Sequence, residues 1–168
     1  YAEWVARWPR WNDRIAAMAP TVRDQLPRRF RARCRVVGDL MADLSSHAKE
    51  EAPLPSGEWV ALLPGSKPAK LSVGVPFLLD TADRLAAQRP GCRFLLPVAP
   101  TTTVEDLERY ASRSNPIAAS YDTDVASIEP ARAGEGLRRL ITRNGTEIHL
   151  QENPPAHGAL RQCKLALT

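Results

Sequence analysis

No apolar run in this 168-residue chain approaches the roughly 20 residues that a membrane-spanning helix needs. No signal peptide opens it; the first residues are aromatic and charged. Cysteine is scarce. Cys34, Cys92 and Cys163 are far apart and odd in number, which fits neither a disulfide framework nor a metal knuckle. Reduced, buried thiols in a cytosolic protein are the expectation. His47, His149 and His157 stand apart, without metal-ligand spacing, so no metal or cofactor is expected. The pattern G-x-x-x-x-G-K-[ST] is missing, and so is G-x-G-x-x-G. That speaks against a P-loop NTPase and against a dinucleotide-binding dehydrogenase.

Lysine is the most telling scarcity. Of 23 basic residues only Lys49, Lys67, Lys70 and Lys164 are lysine, and the formal net charge of +4 is mild. Two of the four fall in one short stretch, "WVALLPGSKPAKL". An apolar run there breaks at Pro64-Gly65-Ser66, meets the two lysines, and resumes with helical spacing.

The length suits one domain with an appendage. Tyr1, Trp4, Trp8, Trp11, Ile15 and Met18 follow a three-four spacing, one face of a helix that Pro9 kinks or divides. Such a stripe could be an aromatic patch at a membrane interface, but packing against a neighbouring domain is its ordinary use. In "RRFRARCRV", Arg29, Arg31, Arg33 and Arg35 alternate with apolar residues, which predicts a strand with one basic face. That face could meet phosphates or anionic lipid, or simply be solvated. Polar residues from Asp43 to Gly57 then read as a helix end and a linker, giving an inter-domain helical segment over 1–57 and a second domain over 58–168.

From Glu58 the pattern is strand, loop, helix, strand, helix. Glu58–Leu63 and Cys92–Ala99 read as buried strands. Val75, Leu78, Leu79, Ala82, Leu85 and Ala86 give a helical face that stops at Pro90-Gly91. Thr103 caps the next helix, with acidic residues in its first turn. Alternating strands and helices predict an α/β, Rossmann-like, doubly wound parallel sheet. "LRRLITRNGTEIHL" is an inserted β-hairpin, with Asn144-Gly145 as a two-residue type I′ turn and Ile141 opposite Ile148. Asn144-Gly145-Thr146 also matches the N-glycosylation triplet, but the turn explains it better in a chain without a secretory signal. Asp122 and Asp124 could form a carboxylate pair, or be ordinary solvated loop charges. A short helix and a last strand, "CKLALT", close the sequence. The missing initial Met and the terminal strand suggest an internal fragment, truncated at its C-terminus.

The Pro-Gly-Ser loop carries chemistry. A strand that turns into a helix leaves free backbone N–H groups, Gly65 permits close approach, and Ser66 can cap the helix or donate to an oxyanion. Lys67 and Lys70 oppose the helix macrodipole by about 0.3–1 kcal/mol each, a sign that an anionic ligand reverses. A plain turn with solvated lysines is the alternative.

"LLPGSKPAKL", with Pro76 inside the helix, and then "RFLLPVAP" resemble the nucleotide-binding half of lipid-A-disaccharide synthase. That family shows Pro-Gly-Ser-Arg followed by Glu after two residues. Here its Arg is Lys67 and its Glu is Lys70, a pattern that resembles a divergent cyanobacterial-type, synthase-related branch. "CRVVGDLMAD" looks like the family's inter-domain segment, and "ENPPAHGALRQCKLALT" resembles the helix and strand before its Ser-Gly-Thr-rich motif. The likeness runs from about Arg33, with a gap around Ser114–Arg143.

The resemblance implies the C-terminal half of a GT-B glycosyltransferase of lipid A biosynthesis. It would transfer a diacylglucosamine unit from UDP to a diacylglucosamine 1-phosphate without a metal. It implies donor-nucleotide contacts at Gly65, Ser66, Lys67 and Lys70. Location would be cytoplasmic, with peripheral contact at the anionic inner-membrane surface. The general base belongs to the other half, so the catalytic residues stay unassigned and the chain alone is expected to be inactive. Two alternatives remain: a UDP-sugar epimerase-like GT-B domain, and a non-enzymatic basic module for RNA or anionic lipid.

Overall fold

The computed structural model of the chain describes residues 14–39, 42, 53–121, 123–134, 136–152 and 156–168. It divides into two units, Tyr1–Lys49 and Glu50–Thr168.

In the first unit, β1 (Ile15–Ala17) pairs in parallel with β2 (Cys34–Val36), and α1 (Pro20–Asp24) and α2 (Arg28–Arg31) lie between them in sequence. Leu26 and Phe30 are buried, with Ile15 and Cys34 packed against them. Two expectations change here. The aromatic stripe does not continue as helix to Met18: Ile15 is in a strand, and Met18 is exposed in the turn that follows. Trp4, Trp8 and Trp11 lie outside the described residues. The basic strand over 29–36 does not form either. Pro27 starts a helical turn instead, with the Phe30 N–H donating to its carbonyl at 2.8 Å. That turn buries Phe30, stacks Arg29 over its ring at 4.8 Å, and lets the Arg31 guanidinium donate to the Leu26 carbonyl at 2.8 Å. Only Arg35 of the four arginines belongs to a strand, so there is no continuous cationic face.

The second unit is built on a six-stranded sheet of order β5-β6-β7-β4-β3-β8. Its strands are β3 (Glu58–Leu62), β4 (Cys92–Pro97), β5 (Val125–Glu129), β6 (Arg138–Thr142), β7 (Glu147–Gln151) and β8 (Leu165–Leu167). Its helices are α3 (Pro68–Gln88), α4 (Val104–Ala111) and α5 (His157–Arg161). β7, β4, β3 and β8 run parallel, while β6 and β5 continue the sheet antiparallel. The expected Rossmann-like α/β architecture is therefore present, with a mixed sheet. β3 and β4 are near-continuous apolar runs because both faces are covered. On one face, Val60, Leu62, Phe94, Leu96, Ile148 and Leu150 pack against α3 and α4. On the other, Trp59 and Leu95 meet Ala159 of α5. Each such large apolar side chain contributes about 1.5–3 kcal/mol by leaving water.

Thr103 caps α4 as expected. Its hydroxyl accepts from the Asp106 N–H, and its own N–H donates to Asp106 Oδ2, both at 3.1 Å. The Thr103 backbone donor, foremost, holds the Asp106 carboxyl below the usual carboxylate range. A carboxyl whose pKa is depressed on folding contributes stability above its unfolded pKa. That contribution is lost as pH falls through the folded value.

The hairpin forms, but with a different loop. No residue other than glycine has positive φ among the described residues, and Gly145 has φ +85°. The Gly145 N–H donates to the Thr142 carbonyl, and the Thr142 N–H to the Thr146 carbonyl, each at 3.0 Å. This is a three-residue loop over 143–145, a type I turn closed by a left-handed glycine, not a type I′ turn. One extra loop residue shifts the pairing by one. Leu140 faces Ile148, and Ile141 faces Glu147. Leu140 is thereby buried completely, and Ile141 goes to the opposite face.

The hairpin is tied to α3 by Asp83, a buried carboxylate that the sequence did not flag. Thr142 donates to it at 2.6 Å, and Thr123 and Asn144 donate at 2.8 Å each. Three donors satisfy the charge without a countercation. β5 also went unread, inside the stretch that matched nothing. It is held by Arg139, buried between Glu129 at 2.7 Å and Glu147 at 3.2 Å. Asp124 pairs with Arg143 at 2.9 Å, and Asp122 lies outside the described residues.

Helix α3 carries two irregular residues, each with its compensation. Pro76 lacks the N–H that would reach the Ser72 carbonyl one turn back. The Asn115 side-chain amide donates to that carbonyl at 2.8 Å and to the Tyr110 carbonyl at 2.7 Å. At Gly74 any Cβ would stand 2.7 Å from the Pro64 carbonyl oxygen, so the helix crosses the loop after β3 at backbone contact. Gly74→Ala is expected to cost about 1–3 kcal/mol in urea unfolding, although alanine is the better helix former. Asn115→Ala should cost about 1–3 kcal/mol by orphaning the Ser72 carbonyl. The loss should shrink in the Pro76→Ala background, where residue 76 regains an N–H; equal losses in both backgrounds would refute the pairing of Asn115 with Pro76.

Candidate functional site

β3 ends at Leu62, and the Leu63 N–H still pairs with the Leu167 carbonyl of β8 at 2.8 Å. The chain then turns through Pro64, Gly65 and Ser66 into α3. Gly65 has φ +93°, and a Cβ there would lie 2.9 Å from Lys70 Cβ. Glycine is needed both for the backbone angle and for the space. The loop occupies the carboxyl ends of β3 and β4, where open α/β sheets take their ligands.

Lys67, not Ser66, is the N-cap of α3, and its side chain caps nothing. The expected capping role of Ser66 is thus not found; Ser66 lies one residue before the cap. Pro68 takes the first helical position, where a missing N–H costs nothing. The Lys67 carbonyl accepts from the Lys70 and Leu71 N–H groups at 2.8 and 2.9 Å. Among the described residues, the N–H groups of Gly65, Ser66, Lys67 and Ala69 have no backbone acceptor. No acidic residue stands in the first turn of α3. Lys67 and Lys70 are exposed and make no ion pair with a carboxylate among the described residues. The four candidate residues therefore come together as one exposed, electropositive turn with unused donors.

The loop after β4 closes one side. Thr101 makes a long hydrogen bond, 3.4 Å, to the Ser66 carbonyl. Thr102 is buried, and its hydroxyl has no partner among the described residues. Neither threonine stood out in the sequence; a Thr-Thr-Thr run after a strand was the available signal.

Among the described residues, one cavity of about 520 Å³ lies in the first unit, lined by Arg14, Arg33 and Arg35, and two lie elsewhere in the second unit. One of about 530 Å³ is lined by Asp80, Asp83, Arg84 and Asn144, and one of about 390 Å³ by Arg93, Glu147 and His149. The two in the second unit open at the amino-terminal end of β7, opposite the loop. Arg84 is paired with Asp80 at 2.7 Å across the mouth of the first. In the second, His149 is buried with its ring edge-on to Trp59 at 4.9 Å, and Arg93 stacks on Trp59 at 4.6 Å. This is packing on the sheet's second face. His157 opens α5, and His47 lies outside the described residues. The three cysteines are free but half-buried rather than fully buried. Burial raises the Cys92 and Cys163 thiols above their ordinary pKa, so both stay protonated and unreactive near neutrality.

Fold and loop together define a Rossmann-like α/β unit with an exposed turn, rich in unused backbone donors, after β3. No protein family model matches the chain. Curated relatives do, and they bear out the resemblance to lipid-A-disaccharide synthase. The chain is 40% identical to the lipid-A-disaccharide synthase of Pseudomonas fluorescens over 90 residues, which are 49% of this chain and 24% of that protein. It is 41% identical over 71 residues to that of Pseudomonas paraeruginosa, covering 42% and 19%. With that of Anaeromyxobacter dehalogenans it shares 43% over 51 residues, covering 30% and 13%. The matched stretch thus spans about a quarter or less of these relatives' length.

Gly65→Ala is expected to destabilise the second unit by about 1–3 kcal/mol, because alanine must take a left-handed angle against Lys70. Gly91→Ala, where a Cβ meets nothing within 4 Å, serves as the control in thermal unfolding and should be near neutral.

Proposed function

We propose that the turn Gly65–Lys70 binds the diphosphate of a UDP-sugar, and that the chain is the donor half of a GT-B glycosyltransferase of lipid A biosynthesis. The observation that carries this is that, among the described residues, four N–H groups without a backbone acceptor stand beside two lysines without an ion pair at a helix N-terminus with no side-chain cap. Without an anion, both lysines face the positive end of the α3 dipole; a diphosphate reverses the sign of each interaction. The likeness to proteins named lipid-A-disaccharide synthase supports the following reaction. A diacylglucosamine unit leaves UDP and passes to a hydroxyl of diacylglucosamine 1-phosphate. The new bond forms from that hydroxyl oxygen to the anomeric carbon as the carbon–diphosphate bond breaks.

In this reading Gly65 and Ser66 present backbone donors to the diphosphate. Lys67 neutralises the charge that grows on the departing UDP, and Lys70 supports it one turn on. Lysine does this as a point charge, without arginine's bidentate fork. The base that takes the acceptor's proton comes from the facing domain. Residues 58–168 form the nucleotide-sugar domain and 1–57 the connection to its partner. The enzyme works on the cytoplasmic side of the inner membrane, in peripheral contact with its lipid-linked substrates. Among the described residues no helix is long and apolar enough to cross a membrane.

The test is a titration of UDP and of uridine into the whole protein and its Lys67→Ala variant. UDP should weaken by about 1.5–3 kcal/mol, as for a lost charged hydrogen bond, and uridine should change little. An equal loss for both ligands places Lys67 away from the diphosphate.

A further inference from the structure

We propose that Asn144 is a self-modification site, where deamidation replaces an amide donor to buried Asp83 by a second carboxylate and so loosens the hairpin from α3. The sequence has four asparagines: Asn12, Asn115, Asn144 and Asn153. Pro116 and Pro154 follow two of them, and proline has no backbone N–H to act as nucleophile. Asp13 follows Asn12. Asn144 alone precedes glycine, which puts no Cβ in the way of the attacking nitrogen. Both Asn144 and Gly145 are exposed to water at the loop tip, and the space around Gly145 is open, with nothing within 4 Å of a built Cβ.

The step balances with water as the one co-reactant. The Gly145 backbone nitrogen attacks Asn144 Cγ and forms a cyclic imide. The side-chain nitrogen leaves as ammonia and carries off the proton lost by the Gly145 N–H. Water then opens the imide at either carbonyl, which gives aspartate or isoaspartate.

The fold holds this reaction in check. The Gly145 N–H is engaged by the Thr142 carbonyl at 3.0 Å, and the Asn144 amide donates to Asp83 Oδ2 at 2.8 Å. Both bonds must open first, so the reaction proceeds through fraying of the loop tip. Its product cannot re-form the second, because a carboxylate has no N–H to donate. A carboxylate at position 144 faces the Asp83 carboxylate, whose remaining donors are Thr123 and Thr142. Like charges in hydrogen-bond range disfavour the ionised pair.

The experiment ages the intact chain in buffer at physiological temperature and maps its peptides by mass. The peptide containing Asn144 should gain the mass of amide-to-acid conversion and split into aspartate and isoaspartate forms, while the Asn115 and Asn153 peptides stay unchanged. In parallel, Asn144→Asp should lower Tm by about 4–8 °C. The exchanged pair Asp83→Asn with Asn144→Asp, which restores one amide and one carboxylate, should recover most of that loss. The proposal is overturned if position 144 stays intact while the denatured chain converts there. It is equally overturned if Asn144→Asp matches the wild type, or if the exchanged pair is no more stable than Asn144→Asp.

Discussion

The backbone contact between Gly74 and the Pro64 carbonyl sets how close α3 sits to the end of β3. From that closeness the rest of the second unit follows. A helix at this distance can bury Leu71, Val75, Leu78 and Leu79 against β3 and β4. It also draws its first turn to the carboxyl end of β3, where the turn at Gly65 is short and its N–H groups have no backbone acceptor among the described residues. Asn115 ties the second turn of the helix to the end of α4, and further down Asp83 ties its last third to the hairpin. Three polar or steric tethers, spaced along 21 residues, fix one long helix to three different parts of the unit.

The features that could be read in the sequence were those encoded locally. The apolar spacing of α3, the Thr103 cap and the continuous runs of β3 and β4 each carry their own signal within a few residues. The Pro64-Gly65-Ser66 turn was legible for the same reason. What escaped detection depends on a partner distant in sequence. Asn115 looks like any loop asparagine until Pro76 is placed beside it. Asp83 looks like a solvent-facing helix residue until Thr123, Thr142 and Asn144 converge on it. Gly74 offered a hint, because a glycine inside a helix costs about 1 kcal/mol without some reason. The Asn-Gly turn misled because that dipeptide serves both two-residue and three-residue loops, and a single residue decides the register. The Arg29–Arg35 alternation misled because a four-residue helix is too short to show a period of its own.

The charged groups divide in a related way. At the Gly65 turn, Lys67 and Lys70 have no carboxylate partner and four N–H groups no backbone acceptor among the described residues. Elsewhere in the unit charges are matched: Asp80 with Arg84, Glu152 with Arg138, Glu147 and Glu129 with Arg139, Asp83 with three donors. A site that must bind an anion needs its charge uncompensated, and the cost in stability is small because Lys67 and Lys70 remain in water. The buried polar groups sit where they stabilise, and the exposed unpaired ones where a ligand can reach them.

Pro76 removes one rung from the hydrogen-bond ladder of α3, so the first turns of that helix are held to the rest by one backbone bond fewer. The Ser72 carbonyl is tied instead to a side chain, Asn115, that belongs to the segment after α4 and also reaches the Tyr110 carbonyl. The amides over 71–75 are therefore expected to exchange faster than those over 80–88. Fraying of the first turns costs less than opening the part of the helix that is closed on the sheet, and it frees the Gly65 turn without unfolding the core.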